Sequence, residues 1–202
     1  MKLYAYRFCP FSRRARIALA EQGVAFEYVE LEPKAEHPPE LASKTPSKTG
    51  VPVLYVHDEF VLWDSSAIVH WVNSAFPTSL SPSAIEPIAL ADAWVGWASS
   101  KLYPAMKDLF HGDVASRRTA KDSITSALLG ADALFPNEDW LLGSMYSHAD
   151  IAMAPVLAVL PPDVVRRFSP KMQRYIEHLK ERPAIREVCE LESLEGRPSW
   201  AA

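Results

Sequence analysis

The chain has 202 residues, 49% of them hydrophobic and 23% charged, and a formal net charge of −4. That suits a folded chain with a substantial core and excludes a strongly basic nucleic-acid binder. Two cysteines, Cys9 and Cys189, are too few for a disulfide framework and fit a reducing, cytoplasmic setting. The N-terminus lacks a signal peptide's pattern and no apolar run is long enough to span a bilayer, so no membrane partner is expected.

Residues 2–6 are β-formers and predict a first strand. Cys9-Pro10 then opens a helix, with proline at the first helical position, where its missing N–H costs nothing. This puts Cys9 at the N-cap, against the unpaired N–H groups and the positive end of the helix dipole. A thiolate is favoured there, and Arg13 and Arg16 on the same helix would add to the effect. Phe11, Ala15, Ala18 and Leu19 form the helix's apolar face, and Gly23 ends it. Phe26 to Leu31 reads as a second strand, so strand–helix–strand predicts a parallel pair with a right-handed crossover.

A loop covers Pro33 to Gly50, with a helical turn near 40–42. Val51 to Val56 is a third strand opening at Pro52. His57-Asp58-Glu59 is a turn, and Phe60 to Trp63 pairs back as a hairpin. Asp64-Ser65-Ser66 starts a helix that runs to about Ala75. Pro77 to Ser83 is a linker by composition. Beyond it only helices are expected, at about 85–111, 117–135, 148–160, 170–181 and 184–192. Ser147 and Asp150 form a variant capping box before the helix at 148. The predicted organisation is an α/β domain over 1–77, a linker over 78–84 and an all-α domain over 85–202.

Four segments, in this order, resemble the cytosolic glutathione transferase superfamily. They are Cys9-Pro10-Phe11-Ser12, Val51-Pro52-Val53-Leu54, Asp64-Ser65 before the helix at Ala67–Val72, and Trp140-Leu141-Leu142-Gly143 leading into Ser147–Ala152. The resemblance implies a thioredoxin-like N-terminal domain followed by a helical domain, with glutathione as co-substrate and no metal. Homodimerisation is a further expectation, with a small electrophile or a disulfide as the second substrate. It also implies that Val51-Pro52 is a cis-proline segment whose Val51 main chain pairs with the cysteinyl part of glutathione. Asp64 and Ser65 match the pair that binds the γ-glutamyl end, with Asp64 suited to an ammonium and Ser65 to a carboxylate. Phe11 sits in the same glutathione-binding turn. The loop before the proline departs from the usual Asn-Pro-x-Gly-x-Val-Pro. It reads Thr45-Pro46-Ser47-Lys48-Thr49-Gly50-Val51-Pro52, with Lys48 or Lys44 as contacts for the glycyl carboxylate.

Cys9 at the turn is similar to the cysteine-type members, the omega class and dehydroascorbate reductases, which form a mixed disulfide with glutathione. Ser12 stands where a dithiol glutaredoxin has its resolving cysteine, which implies a monothiol cycle. Tyr6 and Ser12 are rivals for the sulfur contact, and Cys189 reads as structural. Trp94, Trp97 and Lys101, extended by Tyr103, Phe110 and His111, form an aromatic stripe that is either core, dimer interface or the wall of an electrophile pocket. Two other functions stay open: a glutathione-conjugating transferase or isomerase, and a non-catalytic protein similar to the stringent starvation proteins, which bind RNA polymerase.

Overall fold

The computed structural model describes residues 1–33, 36–76 and 80–195. Its four-stranded sheet has the order β2-β1-β3-β4, built from β1 (Lys2–Ala5), β2 (Glu27–Glu30), β3 (Val53–His57) and β4 (Phe60–Leu62). β1 pairs parallel with β2, Lys2 opposite Glu27, and antiparallel with β3, Leu3 opposite Leu54. β3 and β4 form the expected hairpin. Helix α1 (Pro10–Glu21) supplies the crossover between the parallel strands. It ends at Gly23, whose φ of +63° is the left-handed conformation that a side chain would resist. Gly23 N–H bonds Ala20 O and Val24 N–H bonds Leu19 O, which satisfies carbonyls of the last turn.

The period-2 geometry of the strands sorts their side chains. Leu3, Ala5 and Leu54 point into a core shared with α1 and with α2 (Ser65–Ala75). Tyr4 and Val53 point to the other face, where Leu41 and Val61 complete a smaller cluster. Tyr4 Oη donates to Glu40 at 2.9 Å, and burial beside this carboxylate pushes its hydroxyl up to about 12.

The C-terminal half is helical, as predicted, but divided differently. Instead of one helix over 85–111 there are α3 (Ile85–Trp97), a π-helical turn (Ala98–Leu102) and α4 (Tyr103–His111). Pro104 explains the break, because it has no N–H for the Ser100 carbonyl and its ring crowds that carbonyl. Then come α5 (Val114–Ala131), a 3₁₀ turn (Asp132–Leu134), α6 (His148–Leu157), α7 (Pro162–Val165), α8 (Pro170–Glu181) and α9 (Pro183–Glu195). The short α7 was not predicted. Of the linker, Pro77, Thr78 and Ser79 lie outside the described residues, as do residues 196–202.

The main core does not stop at the linker. One continuous cluster joins Leu3, Ile17 and Ile68 from the α/β half to Leu102, Ile151 and Leu179 from the helical half. Helix α1 is the shared element, with α2 on one side and α6 and α9 on the other. At its far end Glu21 receives a two-pronged bond from Arg182 (2.7 and 2.6 Å), whose guanidinium also lies over the Tyr146 ring.

Candidate functional site

The N-terminus of α1 is open. Cys9 takes the N-cap position with extended backbone (φ −73°, ψ 121°), and its side chain makes no capping bond. Pro10 has no N–H, so the first-turn N–H groups of Phe11 and Ser12 receive no capping oxygen from Cys9. Cys9 is partly exposed and unpaired; Cys189 is buried. Arg13 and Arg16, expected to support the thiol, each have aromatic neighbours. Arg13 is buried against the stacked pair of Phe8 and Phe110 and reaches Pro155 O, while Arg16 lies over Tyr28. On the helical face of α1, Arg13 packs into the second half of the chain because its long apolar stem fills that interface.

Next to Cys9, a cavity of about 120 Å³ is lined by Phe11, Val51, Pro52, Trp63, Asp64 and Ser65, together with Thr45 to Ser47 and Gly50. Five of the seven residues singled out from the sequence therefore meet in one place, although they come from three separate segments. The Val51–Pro52 peptide bond is cis. Cys9 is not itself in the lining; it stands two residues before Phe11 at the same helix start.

Asp64 caps α2. Its Oδ1 accepts from Ser66 N (2.7 Å) and Ala67 N (3.0 Å), which satisfies two of the helix's orphan donors. Ser65 follows as the first helical residue, nearly fully buried, with its hydroxyl accepting from Arg14. Lys48 lies on the same loop but is exposed and outside the lining. Its carbonyl accepts from His37 N at 2.6 Å. The His37 ring also meets Gly50 O and Thr45 Oγ1 (2.8 and 3.2 Å), so this buried histidine pins the loop that forms one wall. Lys44 turns away, bonding Asp58 in the β3–β4 turn.

Of the two rivals for the sulfur contact, Tyr6 has another partner, whereas the Ser12 hydroxyl is buried without one. Tyr6 Oη donates to Thr49 O at 2.6 Å, and Ser12 is fully buried. The aromatic stripe divides. Trp94 and Tyr103 are core: Trp94 packs edge-on to Phe135, and Tyr103 donates to Ala152 O at 2.7 Å. Phe110 and His111 instead contact Phe8, the residue before Cys9.

Two lining or near-lining residues were missed. Trp63 stands half-exposed at the cavity edge. Arg14 is 2% exposed, beside the edge-to-face pair of Phe11 and Tyr103, and it bonds Ser65, Ser66 and Ser99. A readable signal existed. Phe11 and Arg14 are three apart and so share a helix face, which places a cation on the buried side. Among the described residues no cluster of His, Cys, Asp and Glu could hold a metal ion, and no helix is long and apolar enough to cross a membrane.

Comparisons with known proteins agree with this geometry. Residues 3–80 match the family model "Glutathione S-transferase, N-terminal domain". Glutathione S-transferase U22 of Arabidopsis thaliana is 30% identical over 146 residues, 71% of this chain and 66% of that protein. A Stringent starvation protein A homolog of Coxiella burnetii is 28% identical over 193 residues, covering 92% of this chain and 90% of the relative. The theta class glutathione S-transferase of Xanthomonas axonopodis pv. citri, solved with glutathione bound, superposes with a TM-score of 0.75 at 25% identity, covering 92% and 95% of the two chains. The fold is thus the glutathione S-transferase fold, a thioredoxin-like sheet followed by a helical domain. The matches support placing the chain in the glutathione S-transferase superfamily.

Proposed function

We infer that the protein is a glutathione-dependent thiol transferase or reductase of the cysteine type. The observation that carries this reading is the open, uncapped start of α1 at Cys9, beside a cavity lined by Phe11, Val51, Pro52, Asp64 and Ser65. In the proposed cycle the Cys9 thiolate attacks the glutathione sulfur of a glutathionylated substrate and displaces the substrate's own sulfur as a thiolate, which takes up a proton. The Cys9–glutathione mixed disulfide is then attacked by a second glutathione thiolate, which releases oxidised glutathione and restores Cys9. The first-turn N–H groups of Phe11 and Ser12 stabilise the sulfur anion as attacker and as leaving group. Main-chain atoms of Val51 hold the cysteinyl part of glutathione, Asp64 the ammonium and Ser65 the carboxylate of its γ-glutamyl end. Lys48, on the exposed loop, is the candidate for the glycyl carboxylate. Two cysteines, too few for a disulfide framework, suit a reducing, cytoplasmic compartment. Homodimerisation is part of this reading.

Incubation with oxidised glutathione, followed by intact mass and peptide mapping, tests it. The expected result is one glutathione on Cys9, removed by excess reduced glutathione and absent in Cys9→Ala. Modification of Cys189 alone, or none, would overturn it. A second reading is a non-catalytic protein of the stringent starvation type, which would bind RNA polymerase. The near-complete overlap with the Coxiella burnetii relative favours it. No glutathione binding by calorimetry, together with retention on an RNA polymerase column, would select that reading.

A further inference from the structure

His37 holds one wall of the cavity from inside its own loop, and it is only 7% exposed. Its main-chain N–H donates to Lys48 O at 2.6 Å, its Nε2 lies 2.8 Å from Gly50 O and its Nδ1 lies 3.2 Å from Thr45 Oγ1. Gly50 O is a carbonyl and can only accept, so Nε2 carries a proton. Thr45 has a single hydroxyl proton, and it goes to Ser47 O at 2.7 Å. Towards the ring the Thr45 oxygen therefore accepts, and Nδ1 carries a proton as well. Both ring nitrogens donate only in the imidazolium form.

This charge is met by oxygen dipoles. Among the described residues no ion pair reaches the ring; the paired histidines are His70, His148 and His178. Of the charged groups on the same loop, Glu36 and Lys48 are exposed, Glu40 is held by Tyr4 and Lys44 by Asp58. Asp64, in the shared cavity lining, is bound to the start of α2. Charge-assisted bonds to the facing oxygens are stronger than those of a neutral ring.

The bonds converge on one peptide group. Ser47 Oγ accepts from Gly50 N at 2.9 Å and His37 donates to Gly50 O, so Gly50 is fixed from both sides. The Gly50–Val51 peptide is trans and planar, so the Val51 N–H points away from the oxygen that His37 holds. A cation on that oxygen polarises the group and makes the N–H on its other side a stronger donor. Loss of one ring proton does the reverse. Nδ1 becomes an acceptor, Thr45 has to choose between the ring and Ser47 O, and the bond to Gly50 O loses its charge. Thr45, Ser47, Gly50 and Val51 all line the cavity, so the change is delivered to its wall.

We propose that His37 is a positioning residue which, as an imidazolium, locks the Gly50–Val51 peptide group in the cavity wall and makes ligand capture by the Val51 main chain proton-dependent. This rests on the glutathione reading above, which gives Val51 its ligand, and adds a control to it: the site binds more tightly on the acid side. His37 acts through the peptide group and touches no ligand itself.

The test titrates the full chain from about pH 5.5 to about pH 8, the range in which histidine side chains change charge. Ring nitrogen-15 spectra of the ligand-free protein should show His37 with both nitrogens protonated at the acid end and one bare at the alkaline end. Calorimetry uses S-methylglutathione, whose blocked sulfur neither titrates nor exchanges with Cys9. Its affinity should fall about three- to tenfold as His37 loses the proton, the difference between a charge-assisted and a neutral hydrogen bond. His37→Gln keeps an N–H donor without the charge, and its affinity should stay near the wild type's alkaline value throughout. A His37 ring that keeps one form across the range, or an affinity that does not follow the ring, overturns the proposal and leaves glutathione binding standing. The wild type's full pH dependence retained in His37→Gln does the same. No binding of S-methylglutathione at any pH overturns both readings. The wild-type titrations stand whether or not the variant folds.

Discussion

Two helix starts in this molecule are built in opposite ways. At α6, Ser147 and Asp150 close the end completely: Asp150 accepts from Ser147 N, Leu141 N and Tyr175 Oη, while Ser147 Oγ accepts from Ala149 N. At α1, the N-cap is Cys9, which offers no oxygen and leaves the first turn unsatisfied by any side chain. A cap is worth about 1 kcal/mol, so the α1 end gives up stability that the α6 end keeps. The start of α2 lies between the two. Asp64 closes two of its donors, yet Ser65 faces the cavity. Under the proposed function, the helix end without its cap is the one assigned the chemistry, and the end with a complete cap is assigned stability.

The largest effect expected is at α6. Asp150→Ala strands the buried donors of Leu141, Ser147 and Tyr175 and should lower stability by about 3 kcal/mol in urea unfolding at pH 7. A loss below 1 kcal/mol would mean that this end is not the closed one. At α2, Ser65→Ala should weaken glutathione ten- to a hundredfold by calorimetry, with about 1–3 kcal/mol lost in stability because it takes an acceptor from buried Arg14. An unchanged affinity would make that end purely structural. At α1 the sign should reverse. Cys9→Asp supplies the missing cap oxygen and should raise stability by about 0.5–1 kcal/mol, with thiol transfer abolished. A loss of stability would show that the α1 end is already satisfied.

The smallest effect concerns pH at the α6 end. His148, its first residue, is buried against Asp92, Ser81 and the Leu80 carbonyl, with His70 beyond Asp92. Burial holds its pKa below the ordinary 6.5. The unfolded chain therefore takes up a proton first, and this group's contribution, present above pH 6.5, is lost as pH falls from there towards its folded value. Asp150 has the opposite slope. Burial lifts its carboxyl to about 6 against the pull of its donors, so its contribution falls as pH rises from about 4 to about 6. Urea unfolding between pH 5 and pH 7.5 should show less acid-side loss in His148→Gln than in the wild type. Identical profiles would remove His148 from the account.

Much of this was readable before the coordinates. The cysteine before proline, the valine before proline and the aspartate–serine pair are local signals, because each is a turn or a cap determined by neighbouring residues. All the strands, and α8 over Pro170–Glu181, were found for the same reason. The misses were tertiary. Nothing near Pro104 in the chain says that its break would bring Ser99 to Arg14, 85 residues away. Arg13 and Arg14 are adjacent and chemically identical. Yet one packs against Phe8 and against Phe110 of the helical half while the other bonds Ser65 of the cavity lining, a choice made by the α1 periodicity and its two packing partners. Lys48 remained an inference from a loop whose conformation depends on buried His37.

The bond between Arg182 and Glu21 gives the chain an order of assembly. Helix α1 carries Cys9 at one end and is clasped at the other by a residue that leaves the ribosome 161 positions later. Until then Ile17, Leu19 and their neighbours have no second wall, so the first eighty residues should not persist as a folded fragment. The Cys9 end of α1 would thus be set in place only once residue 182 has emerged, and limited proteolysis of a chain truncated after residue 80 should find it open to cleavage.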